Sequence, residues 1–300
     1  MSTHNAWEER PTLVGRLGKG GTLVLLVLVV LFPMWSVVVT SLASRKTIDA
    51  AGGMVVIPRE FDPSAYLSIF SGGTVTQALW VSTVVTIGGT AVSLVLTTFA
   101  AYGLSRPGTL WHRPLLFVFL LTFLIAPGLV PTYLVVTGLG LKDSLWSLIL
   151  PSAVSAFNLV VMRAFFMGVP TELVDAARID GASEWGILFR IVLPLSKAVV
   201  AVVGLFYAVG YWNAYFNSVL YLDSSDKWPI QRILQGYILG GQSPAVTGNV
   251  PINLPGVTAY PPSLAVKMAV VVVTVVPALV IYPFVQRHFT KGVMLGAVKG

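Results

Sequence analysis

Long apolar runs separated by short polar stretches organise this chain. Six segments hold about 20 or more mostly apolar residues, the length a helix needs to cross a bilayer. They are 20–42, 76–104, 114–137, 144–166, 187–222 and 264–286. The pattern predicts an all-α polytopic membrane protein with six transmembrane helices. The fifth segment is too long for one straight span, and Pro194 and Lys197 put its first turns at an interface. Pro127 and Pro131 predict a kink in the third, because proline removes a helical donor and crowds the preceding turn. The first segment follows Arg10, Arg16 and Lys19, and "SLA" at 41–43 resembles a cleavage site. Its apolar run is longer than the core of a signal peptide, so an uncleaved helix is expected.

Two of the connecting loops are long. In 43–75, Asp62 followed by Pro63 predicts the start of a short helix, with the carboxylate as cap and proline at the first position. In 223–263, Ile230, Ile233, Leu234, Tyr237 and Ile238 recur at helical spacing, which predicts an amphipathic helix at the outer interface. Proline and glycine then recur through "GGQSPAVTGNVPINLPGVTAYPP", which reads as a loop.

Composition agrees with a membrane protein: 55% of residues are hydrophobic and only 10% charged, against roughly a quarter charged in soluble domains. The net charge of +7 is spread along the chain and forms no compact cluster of the kind that binds nucleic acid. Its distribution sets a topology. With the N-terminus inside, the inner loops carry Arg10, Arg16, Lys19, Arg106, Arg113, Arg163, Arg178, Arg190, Arg287, Lys291 and Lys299. The outer loops carry Arg45, Lys46, Arg59, Lys142, Lys227 and Arg232. Both termini are therefore expected in the cytoplasm. The chain divides into a cytoplasmic tail 1–19, a first transmembrane helix 20–42, an outer loop 43–75, a core 76–286 of five helices with a cytoplasmic loop 167–194 and an outer loop 223–263, and a cytoplasmic tail 287–300.

Several chemistries are missing. The chain has no cysteine, and no Asp or Glu lies inside the six segments, where ion-coupled carriers commonly place them. "GKGG" at 18–21 lacks the spacing of a phosphate loop. His4, His112 and His288 are dispersed and have no metal-ligand spacing. No catalytic residues, metal site or bound cofactor are expected.

Charge is concentrated instead in "DAARIDGASEWGILFRIVLP", residues 175–194. Read as one helix, Leu173, Ala176, Ala177, Gly181 and Trp185 share a face, with Asp175, Arg178 and Glu184 toward others. An interior glycine costs about 1 kcal/mol against alanine, so Gly181 marks either close packing or a turn. On these grounds alone, a loop helix packed on its own bundle and a helix that docks a partner are equally supported.

The stretch resembles the EAA loop of ABC importer permeases, whose pattern is E-A-A, three residues, G, nine residues, then I-x-L-P. Asp175, Ala176, Ala177, Gly181, Ile191, Leu193 and Pro194 stand at those spacings, with Asp175 in place of the usual glutamate. "YWNAYFNSVLYL" at 211–222 and "QRHFTKGVMLGAVKG" at 286–300 resemble the carbohydrate branch of the maltose-permease type. "SLAVKMA" at 263–269 and "KGVML" are similar to permeases for complex oligosaccharides. The resemblance implies a type I importer permease fold and a subunit without an ATPase site of its own. It implies a homologous second permease, two cytoplasmic ATPase subunits carrying ATP and Mg2+, and an extracytoplasmic solute-binding protein, in a bacterial cell membrane. It also implies a coupling helix, with Asp175, Arg178, Asp180 and Glu184 making polar contacts around a groove of the ATPase. Ala176, Ala177 and Gly181 would allow close seating, and Pro194 would set the angle to the fifth span.

The fifth span carries Tyr207, Tyr211, Trp212, Asn213, Tyr215, Phe216 and Asn217. Aromatic faces stack on sugar C–H groups and amides pair with hydroxyls, so Tyr207, Tyr211, Trp212, Asn213, Tyr215 and Asn217 are candidates for a solute pathway, with Tyr133 and Asn158 beside them. The same residues also fit an aromatic belt with amides that join helices. A permease for a non-sugar solute, an ion-coupled carrier and a membrane scaffold remain alternatives at this stage.

Overall fold

The computed structural model of the chain describes residues 13–71, 73–106, 108, 111–125, 127–239 and 263–296, with side chains of the last helix described to Ile281. Among the described residues every regular element is helical. Three helices are long and apolar enough to cross a membrane: Leu17–Ser41, Thr74–Ser105 and Ser263–Ile281. Three bent pairs bring the number to six if each pair is one span. The chain forms two compact units, residues 1–71 with 250–272 and residues 72–249 with 273–300.

In the first unit, α1 (Leu13–Ser41) exposes every residue from Leu23 to Phe32. A helix apolar on all sides needs an apolar surrounding. Its C-terminal end is covered by its own chain. Val55 N donates to Thr40 Oγ1 at 2.8 Å, Ser36 Oγ donates to Val55 O, and Trp35 Nε1 donates to Val56 O at 2.9 Å. The short helix α2 (Arg45–Ala51), absent from the sequence reading, is capped by Ser44 Oγ and ends at Gly52, φ +68°. The predicted helix after Asp62 is α3 (Ser64–Ser71), and Asp62 Oδ1 accepts from Ser64 N at 2.9 Å.

The second unit is built along α4 (Thr74–Ser105). Ser82, Gly89, Ser93, Thr97 and Ala101 are buried on it, small residues that let neighbouring backbones approach. Against it lie α8 (Ala156–Met167) and α12 (Lys197–Trp212). A Cβ on Gly89 would meet the Tyr211 ring at 2.8 Å, so that position needs glycine for space. The apolar core gathers Val81, Val85, Leu148, Met162, Phe166, Ile187, Leu188, Val192 and Val203.

Broken helices are the rule here. The third segment splits into α5 (His112–Leu124) and α6 (Leu129–Gly138), with Pro127 in the gap. The fourth segment does not run as one helix over 144–166. It is α7 (Trp146–Ile149) with a 3-10 turn Leu150–Ser152, then α8, bent by 54°. Pro151 in the turn is the residue whose missing N–H ends α7.

The stretch 171–195 is not one continuous helix either. Helix α9 (Thr171–Ile179) stops at Gly181, φ +80°. Ala182 N donates to Ala177 O at 2.9 Å and Gly181 N to Arg178 O at 3.0 Å, the pair of bonds that closes a helix on a left-handed residue. Ser183 then caps α10 (Glu184–Ile187). It runs through a π turn Leu188–Val192 into α11 (Leu193–Leu195). Proline at 194 cannot donate to the carbonyl one turn back and crowds it, and the wide turn relieves that conflict. Past Ser196 the chain swings by 84° into α12.

After α13 (Tyr215–Tyr221) and a 3-10 turn Ser225–Lys227 comes the amphipathic helix α14 (Ile230–Ile238). Its apolar residues Ile230, Ile233 and Tyr237 are buried against α4 and α13, so the face expected on the membrane interface is covered by protein. Ile230 N donates to Ser82 Oγ on α4 at 2.8 Å. Residues 240–262, read from sequence as a loop, lie outside the described residues, as do the tails 1–12 and 297–300. The last helix, α15, spans Ser263–Gly296 and so continues into 287–296, read from sequence as a tail.

Candidate functional site

Three features of the second unit stand out: a polar helical pair, a cavity along α12 and an ionic cluster around Asp143.

In the pair α9–α10, Val174 is buried and Ala177 half-buried against the core, which fixes the inner side of α9. Leu173, Ala176, Ile179, Asp175 and Asp180 face outward, with Ile179 87% exposed. Thus Ala176 and Ala177, adjacent in the motif, divide between surface and core. Space around Gly181 is open, and its requirement is the backbone angle rather than close approach. Arg178 joins the two helices: its Nη2 and Nε donate to Glu184 Oε1 at 2.8 and 3.2 Å, and its Nη1 lies 3.7 Å from Asp175 Oδ1. The other Glu184 oxygen accepts from Tyr102 Oη at 2.6 Å, on α4. Phe99 of α4 meets Trp185 edge-on at 5.4 Å, and Trp185 stacks on Phe189. Ile191 and Leu193 are half-buried and Pro194 is exposed.

From Tyr102 one can follow α4 to the cavity. Thr97 Oγ1 pairs with Tyr207 Oη and Ser93 Oγ with Tyr211 Oη, each at 2.7 Å. Tyr207 Oη also accepts from Ser155 N at 2.9 Å, and Tyr211 Oη donates to Ile149 O at 3.2 Å. Both phenols are therefore committed to holding α12 against α4 and the break in the fourth segment, and their rings form wall. The cavity holds about 410 Å³ and is lined by Ser152, Ser155, Asn158, Phe206, Tyr207, Tyr211, Asn213, Phe216 and Asn217 among others. Among the described residues, no charged side chain lines it.

Five of the eight residues read from sequence as pathway candidates meet there: Asn158, Tyr207, Tyr211, Asn213 and Asn217. Three do not. Trp212 is buried, and its Nε1 donates to Thr274 O of α15 at 3.2 Å. Tyr133 stacks on Tyr221 at 6.0 Å. Tyr215 follows the break at Asn213–Ala214 and is not among the lining residues.

A third cluster lies between α6 and α14. Asp143, φ +55°, accepts from Asp223 N, Ser224 N, Ser224 Oγ and Lys227 Nζ, the last at 2.7 Å. The Lys227 ammonium, then the Ser224 donors, hold the Asp143 carboxyl far below the usual carboxylate range. Asp143 in turn raises Lys227.

Residues 93–295 match the family described as "Binding-protein-dependent transport system inner membrane component". The chain belongs to this family. Among relatives of this membrane component are the "Polygalacturonan/rhamnogalacturonan transport system permease protein YtcP" of Bacillus subtilis (strain 168), 43% identical over 93% of this chain and 96% of the relative. "Protein LplC" of the same organism is 40% identical over 91% of this chain and 90% of its own. A solved structure of a bacterial ABC transporter involved in the import of the acidic polysaccharide alginate superposes with a TM-score of 0.83 at 27% identity, covering 95% of this chain and 100% of that one. The chain is thus a multi-pass component of the inner membrane.

Sequence reading of the inner-membrane component missed Val174, Tyr102, Ser93 and Thr97. Val174 had a signal, as the apolar residue between the acidic ones of α9. The other three had none, because their partners lie 82, 118 and 110 residues away.

Proposed function

We propose that the chain is the permease subunit of an ATP-driven importer of carbohydrate oligomers. It would cross the membrane six times with both termini in the cytoplasm and form half of the translocation pathway. The observation that carries this reading is the outward-facing pair α9–α10, joined by Arg178 and tied to α4 by Glu184. A separate ATPase subunit, with ATP and Mg2+ at its own site, would seat on Leu173, Ala176, Ile179, Asp175 and Asp180. Its displacement would reach the cavity through α4 and the Ser93–Tyr211 and Thr97–Tyr207 bonds. A homologous second permease, a second ATPase and an extracytoplasmic binding protein complete such an assembly. The carbohydrate assignment is supported by the polysaccharides for which YtcP and the alginate importer are named. Asn158, Asn213 and Asn217 beside the faces of Phe206 and Phe216 suit a pyranose chemically.

Uptake by proteoliposomes carrying the chain with its ATPases and second permease tests the reading. ATP-dependent import of oligosaccharide that needs the binding protein is expected. Import driven by a proton or sodium gradient, or import of phosphorylated polyols but no sugar, would replace it.

A further inference from the structure

Two glycines of α12 stand in different surroundings. A Cβ on Gly204 would meet Leu94 of α4 at 3.2 Å, so close packing inside the chain accounts for that residue. A Cβ on Gly210 would meet nothing within 4 Å. Its φ is not positive, so the backbone does not require glycine there either. Glycine inside a helix is unfavourable compared with alanine, because it gives up more conformational freedom on folding. Nothing in the packing or the backbone of the described chain offsets that at 210.

The cavity supplies a reason. Gly210 is part of its lining, one turn after Phe206 and one turn before Ala214. At that level the wall is bare backbone. The groups beside it are held in place. Asn213 Nδ2 donates to Val209 O at 2.9 Å and its Oδ1 accepts from Gln231 Nε2 at 3.3 Å, while the Tyr207 and Tyr211 hydroxyls are bonded to α4. A side chain added at 210 would therefore take its volume from the cavity, because the wall has no slack to absorb it.

Small residues four apart also let a second membrane helix approach, and Gly210 and Ala214 have that spacing. The rest of the lining favours a polar occupant over an apolar helix. Ser152, Ser155, Asn158, Asn213 and Asn217 share the cavity with Gly210, and a few polar groups among apolar walls are how small-molecule sites are built.

We propose that Gly210 determines the size of saccharide that the chain admits. The bare backbone keeps room for part of the bound solute, and the residue at 210 limits the longest oligomer transported. A short oligomer settles in the space that a larger side chain leaves, and a long one does not. This rests on the permease reading above and adds to it the residue that decides chain length.

The complete transporter in proteoliposomes, given maltooligosaccharide and oligogalacturonate ladders from dimer to hexamer, tests it. Gly210→Leu is expected to lower import of the longest oligomer that wild type accepts about tenfold, the scale of a misfit of one or a few carbons in a pocket. Dimer import should stay within about twofold of wild type. Gly210→Ala favours the helix and should show a weaker loss with the same dependence on length, which decides alone if the leucine variant does not assemble. Gly204→Ala crowds Leu94 and is expected to reduce all lengths alike. Retention of the second permease and the ATPases on purification verifies assembly. Loss of the second permease from both Gly210 variants would assign the bare backbone to a helix contact and overturn the proposal. Equal loss at every length, or none at any, overturns it as well and leaves the permease reading standing. Failure of wild type to import either ladder counts against the permease reading, and the proposal falls with it.

Discussion

Tyr102 on α4 donates its hydroxyl to Glu184 at 2.6 Å, while the other oxygen of the same carboxylate holds Arg178 of α9 at 2.8 Å. One carboxylate thus joins three helices: the outward-facing α9, the capped α10, and the helix on which the cavity wall is mounted.

Tyr102→Phe and Glu184→Gln should therefore affect coupling more than stability. These groups are half-exposed, and such contacts contribute less than about 1 kcal/mol to folding. Solute imported per ATP hydrolysed is expected to fall in both variants, with ATPase subunits still bound. Unchanged stoichiometry would show that motion reaches α4 through the Phe99–Trp185–Phe189 cluster alone.

Gly181 makes a different kind of prediction. Its surroundings are open, but φ is +80°. Gly181→Ala is expected to cost about 1 kcal/mol and Gly181→Val more, since a Cβ disfavours the left-handed region. Gly181→Asn should be the mildest, because asparagine tolerates that region. Thermal unfolding in detergent orders the three, and a ranking by side-chain volume instead would mean that the contact surface, rather than the turn, sets the requirement.

Gly89→Ala should act through Tyr211. The added Cβ would lie 2.8 Å from the ring, and moving the ring breaks its bonds to Ser93 and Ile149. A loss of about 1–3 kcal/mol is expected, typical of overpacking. Combined with Tyr211→Leu, the two losses should add to less than their sum. Simple additivity in a double-mutant cycle would rule out the ring as the obstacle.

The Asp143 cluster gives a pH dependence. Its folded pKa lies below the unfolded value, so the carboxylate stabilises the 223–227 turn fully above about pH 4, the ordinary carboxylate pKa. That contribution is lost as pH falls from there toward the depressed folded pKa. Protection of the Asp223 and Ser224 amides from hydrogen exchange should be flat from pH 7 to about 5 and decline below about 4. Asp143→Asn should show lower protection throughout and no such decline.

Much of this was legible in the sequence, for identifiable reasons. Apolar length announces a span without tertiary information, and Asp62–Pro63 and the 230–238 spacing encode their helices locally. The motif at 175–194 carries its turn in Gly181 and its bend in Pro194. What escaped were facts of pairing. Pro151 was visible, yet nothing local says that the mostly apolar run of 23 residues from 144 to 166 breaks there rather than bends. Tyr207 and Tyr211 read as candidate solute ligands, because only the fold reveals that Thr97, Ser93, Ser155 and Ile149 already hold their hydroxyls. Asn158, named only beside the residues of the fifth span, gains weight because it lines the cavity with them.

The π turn Leu188–Val192 has a consequence for evolution as well as for mechanics. An α-helix advances about 100° per residue, and a π turn inserts one residue beyond the regular count. The surface offered by α9–α10 and the wall offered by α12 are thus indexed to each other by a single surplus position. Substitutions there leave the phase intact, whereas a one-residue deletion resets it and turns one surface away from the other. Lineages of this chain should keep Leu188 and Val192 apolar, vary at the exposed Arg190, and hold the length of the turn constant.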